Sequence, residues 1–341
     1  MAAVISGLGG ALPADVVTND DLCRTLDSTH EWIETRTGIS ERRMVAPGQS
    51  TRDLAVEAGA RALKSAGQDT VDVVVVATTS ADRLCPAVAP EVASSLGLGT
   101  VAAYDLTSAC SGFLYGLASA VGHIASGVAE SVLFIGAEAF TTMVDPRDRS
   151  TRPIFGDGAG AVVLRAGSPD EPGAIGPFDL GSDGSLADLL AIPAGGSRQR
   201  SASGGPVGDA APVPSEDWYL HMEGRPLYVQ AVERMAASSR AVLDRAGWSV
   251  GDVAVFAGHQ ANVRIVRAVA EELELPDDRV PVNIDRVGNT LAASIPLLLI
   301  DAAVRGNLTA GDKVLLSAFG AGLSWGSTTL TWPEIHVEEV V

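Results

Sequence analysis

The chain has 341 residues, enough for one large domain or two moderate ones with a substantial core. Its formal charge of −18 argues against general nucleic-acid binding, which needs clustered Lys and Arg. No apolar run reaches the roughly 18–20 residues of a membrane span, so neither nucleic acid nor membrane is an expected partner.

The N-terminal stretch MAAVISGLGGALP lacks a basic n-region and a long apolar core, so no signal peptide is expected. GLGG at 7–10 is too short to mark a phosphate loop. Segment 62–80, ALKSAGQDTVDVVVVATTS, reads as the end of a helix followed by a β-branched run. Such continuous runs mark strands buried on both faces. TVAAYDL, from residue 100, reads as a second strand, and SGFLYGLASAVGHIASG, from residue 111, as an apolar helix. Cys110 stands at the junction of the two. ESVLFIGAEA (130–139) is the next strand. FGDGAGAVVL (155–164) is Gly-rich but runs into a strand rather than a helix, so it reads as tight turns and close backbone packing.

The pattern then recurs. VLDRAGWSVGDVAVFAGHQ (242–260) lies against 62–80 at a spacing of 180 residues. Leu63, Ala66, Gly67, Asp72 and Val73 meet Leu243, Ala246, Gly247, Asp252 and Val253. At the same spacing PVNIDRVGNT (281–290) lies against 101–110, pairing Asp285 with Asp105. Shifted by two, DKVLLSAFGA (312–321) lies against 130–139. Each half thus reads as helix, strand, strand, helix, strand. The expected object is a duplicated α/β protein whose halves, 1–170 and 171–341, are related by a pseudo-twofold axis.

That axis explains the cysteine. Cys110 opens a helix in one half; Asn289 and Thr290 stand at the matching helix start in the other; His259 ends the strand VAVFAGHQ. Ligands of parallel sheets bind at such strand ends. Taken singly, a buried Cys, a core His and an N-cap Asn are ordinary structural residues. All three at repeat-related strand ends point to one cleft. A helix N-terminus is expected to lower the thiol pKa and favour a nucleophilic thiolate. The Cys110 N–H, with a backbone N–H from FGAGLSWG (319–326), at Gly320 or Gly322, would hold an oxyanion. His259 and Asn289 are donors that could stabilise an enolate. The three cysteines, Cys23, Cys85 and Cys110, form no CxxC pair, and the histidines show no metal-ligand spacing. That count suits a reducing cytosol, and no metal is expected.

These motifs are similar to those of the β-ketoacyl-acyl-carrier-protein synthase III family of the thiolase superfamily. EWIETRTGISERR, SACSGF, DPRDRSTRPIFGDGAGAVVL, GHQAN, RVGNTLAAS and FGAGLSWGS occur in that family's order, nearly end to end. The resemblance implies a five-layer αβαβα fold, a cytoplasmic homodimer and a catalytic set of Cys110, His259 and Asn289. It implies that Cys110 takes an acyl group from acyl-CoA, and that malonyl-carrier protein then decarboxylates and condenses with it. Trp32 and Arg149 would flank the CoA adenine, Arg36 would lie near its phosphates, and Gly224, Arg225 and Tyr228 would line the tunnel. No cofactor beyond the CoA thioester substrate is implied.

Four departures bear on substrate choice. Cys85 stands where many relatives carry a bulky aromatic, on a loop that in the family closes the partner's acyl pocket; a primer larger than acetyl is therefore expected. On the helix after His259, Arg264 and Arg267 remain, but Glu271 and Glu272 replace common lysines, which opposes docking of an acidic carrier protein. Leu291 replaces a common Ser. The Gly/Ser/Pro-rich segment 194–217 is expected as a mobile loop near the tunnel mouth. Starter-unit selection in polyketide or related metabolism, or fatty-acid initiation, follows. The alternative is transfer of the acyl group to a hydroxyl or amine without condensation. A non-catalytic partner subunit is disfavoured, because Cys110 is present.

Overall fold

The computed structural model describes residues 2–202 and 213–340. The first half runs β1 (Ala2–Ala11), β2 (Asp15–Thr18), α1 (Asn19–Cys23), α2 (His30–Thr37), β3 (Glu41–Met44) and α3 (Thr51–Ala66). It continues through β4 (Val73–Ala77), α4 (Ala89–Ser95), β5 (Ala102–Leu106), α5 (Gly112–Ala125), β6 (Ser131–Glu138) and β7 (Gly158–Gly167). The second half runs β8 (Ile175–Ser182), β9 (Leu190–Ala191), α6 (Ser197–Ala202), β10 (His221–Met222), α7 (Gly224–Ala246) and β11 (Val255–Gly258). It ends with α8 (Val263–Glu272), α9 (Ile284–Val287), α10 (Ser294–Val304), β12 (Lys313–Gly320) and β13 (Ser324–Thr331).

Two sheets form the frame, in the orders β1-β7-β6-β4-β5 and β8-β13-β12-β11. The all-Val strand β4 pairs in parallel with β5 and β6, and β11 pairs in parallel with β12. Between the sheets lie α5 and α10, predominantly apolar, as suits helices covered by sheets on both sides. Their side chains join both sheets in one core that includes Phe113, Leu117, Leu298 and Leu316. Outside the first sheet pack α3 and α4, and outside the second pack α7 and α8, each closing its own core. The layers therefore alternate αβαβα, as the resemblance implies.

The duplication is real, but its register differs from the 180-residue spacing. Helices α3 and α7 do end on equivalent left-handed glycines, Gly67 and Gly247. From there the second half spends two more residues on a 3-10 turn, Val250–Asp252, closed by a capping box between Ser249 and Asp252. The strands and central helices beyond it therefore match at 182: β4 with β11, β6 with β12, and the turn at 109–111 with the turn at 291–293. The expected strand near 281–285 is absent. Pro281 lacks the N–H a ladder needs, and the chain turns instead into the short α9. Among the described residues the second sheet thus has four strands where the first has five.

Candidate active site

Cys110 sits on a sharp turn between β5 and α5. Ala109 before it has φ +43°, a left-handed value that costs a non-glycine residue about 1 kcal/mol or more. The turn is pinned from the second half: the Ser111 and Ser324 hydroxyls lie 2.6 Å apart, and the Ser111 hydroxyl donates to the Ser108 carbonyl at 2.8 Å. Gly320, ending β12, lies against it so closely that an added Cβ would stand 2.7 Å from the Cys110 amide nitrogen. The second half repeats the device. Leu291 has φ +46° and opens the turn that leads into α10.

Asn289 precedes that turn. Its Oδ1 accepts the Leu291 N–H at 2.9 Å, which fixes the amide and leaves Nδ2 as the free donor. That side chain hydrogen-bonds Cys110 and favours its thiolate. His259 follows β11, with its N–H donating to the Ser317 carbonyl at 2.8 Å. It is 1% exposed, and neither ring nitrogen has a partner among the described residues. Buried polar atoms rarely stay unpaired, so this imidazole is open to a ligand or a water.

Burial controls the electrostatics. It pushes the Cys110 thiol up to about 12, helped by the charge of Glu138, and Asn289 offsets only part of this. The expectation that the helix N-terminus lowers the thiol pKa is thereby reversed. Desolvation of a buried sulfur outweighs a partial charge spread over one helix turn. Burial also lowers His259 to about 3, so the imidazole is neutral and its N–H can donate. Glu138 escaped the sequence reading; the signal was an acid ending an otherwise apolar strand, FIGAE. Burial raises it to about 7 against the hydrogen bonds it accepts from Ser80, Thr79 and Thr78.

Two cavities meet at the sulfur. One, of about 680 Å³, is lined by Cys110, His259 and Asn289 and runs past Gly224, Arg225, Tyr228 and Arg264 to Arg36. The other, of about 520 Å³, lies beyond the sulfur and is mostly apolar, with Phe140, Met143, Phe155, Leu190, Leu220 and Leu291 among its walls. The structure therefore brings together the three chemical residues and most of the expected tunnel residues. Trp32, Arg36 and Arg149 also converge: the Arg36 guanidinium lies 4.4 Å from the Trp32 ring centre, and that of Arg149 lies 5.4 Å away. Gly322 lines neither cavity, whereas Ala321 between it and Gly320 lines the apolar one. Cys85 is exposed and lines neither cavity of its own chain; its neighbour Leu84 lines the apolar one. Of segment 194–217, Ala194, Gly195, Gly196 and Arg200 wall the apolar cavity rather than the tunnel mouth, and 203–212 lie outside the described residues. On α8, Glu272 pairs with Arg240 at 3.8 Å and Arg267 with Asp277 at 2.8 Å.

Known proteins agree with this architecture. Family models described as 3-oxoacyl-[acyl-carrier-protein] synthase III and its C-terminal region match residues 104–184 and 243–332. β-Ketoacyl-[acyl-carrier-protein] synthase III 5 of Streptomyces coelicolor is 58% identical, over 98% of both chains. The solved 3-oxoacyl-(acyl carrier protein) synthase III of Pseudomonas aeruginosa superposes with a TM-score of 0.90 at 47% identity, over 98% of this chain and all of that one. The priming β-ketosynthase of the R1128 polyketide biosynthetic pathway gives 0.87 at 35% identity, over 97% and 96%. A fold of two packed halves, a cysteine at the meeting of two cavities and relatives matched end to end have one reading: the chain belongs to the β-ketoacyl-[acyl-carrier-protein] synthase III family.

Proposed function

We propose that the protein primes a chain by decarboxylative condensation of an acyl group, taken from acyl-CoA, with a malonyl thioester on an acyl carrier protein. The observation that carries this reading is the placement of Cys110 at the junction of a polar-mouthed tunnel and an apolar cavity. A thioester arm fits the first and its acyl chain the second.

In the first stage Cys110 Sγ attacks the thioester carbonyl. The new C–S bond replaces the bond to CoA, and the thiol proton leaves on the CoA thiol. His259 is neutral and unpartnered, so it can carry that proton between the two sulfurs. The carbonyl oxygen of the tetrahedral intermediate would be held by the Cys110 N–H and an N–H of the 320–322 turn, which packs on Cys110. In the second stage the malonyl arm enters the emptied tunnel. Its C–C bond to the carboxylate breaks, carbon dioxide leaves, and the electron pair becomes an enolate. The Asn289 Nδ2–H and a His259 N–H converge on the enolate oxygen. The enolate carbon attacks the acyl-Cys110 carbonyl, the thiolate departs, and it takes up a proton to restart the cycle.

The apolar walls of the second cavity suit a hydrocarbon primer, and the small Cys85 on the loop that in the family closes the partner's pocket supports one larger than acetyl. The edge strand β5, unpaired on one side among the described residues, supports a homodimer joined through that edge. Exposed Cys85 is then free to reach the partner. Arg264, at the tunnel mouth, supports docking of an acidic carrier protein, opposed locally by Glu271 and Glu272.

Intact-protein mass spectrometry after incubation with acetyl-, butyryl- and hexanoyl-CoA tests this. The expected result is a longer-chain adduct on Cys110 that malonyl-carrier protein discharges with release of carbon dioxide. An adduct that malonyl-carrier protein leaves intact would reject condensation in favour of acyl transfer to a small acceptor. Strict preference for acetyl would reject the larger primer.

A further inference from the structure

Arg42 is an arginine with no exposed surface, and the chemistry described above makes no use of it. It lies on β3, in the first half of the chain. Its Nη1 donates to the Val17 carbonyl at 3.0 Å, and its Nη2 to the Asn19 Oδ1 and the Pro153 carbonyl, both at 2.7 Å. All three acceptors are neutral oxygens. Burial lowers its pKa to about 10, so it remains a cation at neutral pH. A buried cation whose hydrogen bonds, among the described residues, go to neutral acceptors is costly.

What it holds is the segment that brackets Asn289. One residue beyond Pro153, the Ile154 carbonyl accepts the Asn289 N–H at 2.9 Å. Two residues further, the Gly156 N–H donates to the Asn289 carbonyl at 3.0 Å. Phe155 and Asn289 thus form an isolated parallel bridge, outside either sheet. Two glycines let these strands approach so closely. A Cβ on Gly156 would overlap the Val287 carbonyl oxygen and stand 3.3 Å from the Arg42 Cβ. A Cβ on Gly288, at φ +70°, would stand 3.0 Å from the Arg42 Cβ and 3.1 Å from the Ile154 oxygen. The Arg42 stem is therefore the floor under both glycines, while its fork ties down the carbonyl at the start of the bracket.

We infer that Arg42 is a positioning residue for Asn289: through Pro153 it sets where the Asn289 amide stands over Cys110. The inference rests on the condensing function, because Asn289 matters most at the enolate. Cys110 has its own supports, Ser108, Ser111, Gly320 and Ser324, none of which touches Arg42. The two half-reactions should therefore respond differently.

Arg42→Lys keeps the charge and the stem but loses the fork that reaches three acceptors at once. A displacement of about 1 Å can cost on the order of 100-fold in a positioned step, so decarboxylation of malonyl-carrier protein should fall about 10- to 100-fold. Acylation of Cys110 by acyl-CoA should fall only a few-fold, through the lost thiol contact of Asn289. Asn19→Ala, which removes one acceptor and leaves Arg42 in place, should shift the same ratio more weakly. If Arg42→Lys yields no folded protein, that variant alone decides. A ratio of carbon dioxide release to acylation equal to wild type in the folded variants overturns the inference. So does a proportional loss of both steps, the mark of a merely structural residue. Wild-type protein that acylates without ever releasing carbon dioxide overturns the reading beneath it, and that control is read before any variant.

Discussion

The two halves of the molecule start from one plan and diverge at the same place. Each carries a parallel pair of buried strands, a left-handed non-glycine residue and an apolar helix pointing into the central layer. In the first half the residue after the left-handed one is Cys110; in the second it is Ala292. The second half instead places Asn289 two residues before its left-handed position, and His259 after its strand. Under the proposed function the first half supplies the bond-forming atom and one backbone donor, and the second half supplies the side-chain donors for the enolate. The duplicated strained turn supplies geometry twice, and function was divided by changing which side chain each copy presents.

Substitutions in each half should break this division cleanly. Cys110→Ala has the largest expected effect: no acyl adduct at all by intact mass. Asn289→Ala should leave the adduct forming while carbon dioxide release falls about 10²–10³-fold, the cost of one donor to a developing oxyanion. Parallel loss of both steps would end the comparison. Gly156→Ala should strain the seam between the halves, where its Cβ meets the Val287 carbonyl; urea unfolding should show a loss of about 1–3 kcal/mol.

A further contrast lies in the response to pH. Glu138 is raised from 4.5 to about 7, so the native state keeps a proton that the unfolded chain releases. Stability from this group is lost as pH rises between those values. His259 is lowered from 6.5 to about 3, so its contribution is lost as pH falls through that window. The two oppose each other between 4.5 and 6.5. Glu138→Gln removes one side of the balance. Its stability relative to wild type should therefore climb as pH rises from 4.5 to 7, and urea titrations giving a constant difference would refute this.

Much of this was legible in the chain. The β-branched run of β4 and the Gly-rich strand β7 read directly, and Cys110, His259 and Asn289 read from their motifs, but the 180-residue period set Asn289 and Thr290 opposite Cys110 where the structure sets Ala292. That two-residue register slip was not legible, because its cause is a 3-10 turn whose capping box looks like any loop. The thiol pKa was misread because sequence shows the helix behind Cys110 but not its burial. Glu138 and Arg42 stayed hidden for a related reason. A charged residue in a strand reads as solvated, and only packing shows that these two are buried.

The high pKa of the nucleophile has a consequence for life between substrates. Burial holds the sulfur almost wholly in its thiol form at neutral pH. Peroxide and electrophilic metabolites attack thiolates, so Cys110 is chemically quiet until an arm fills the tunnel.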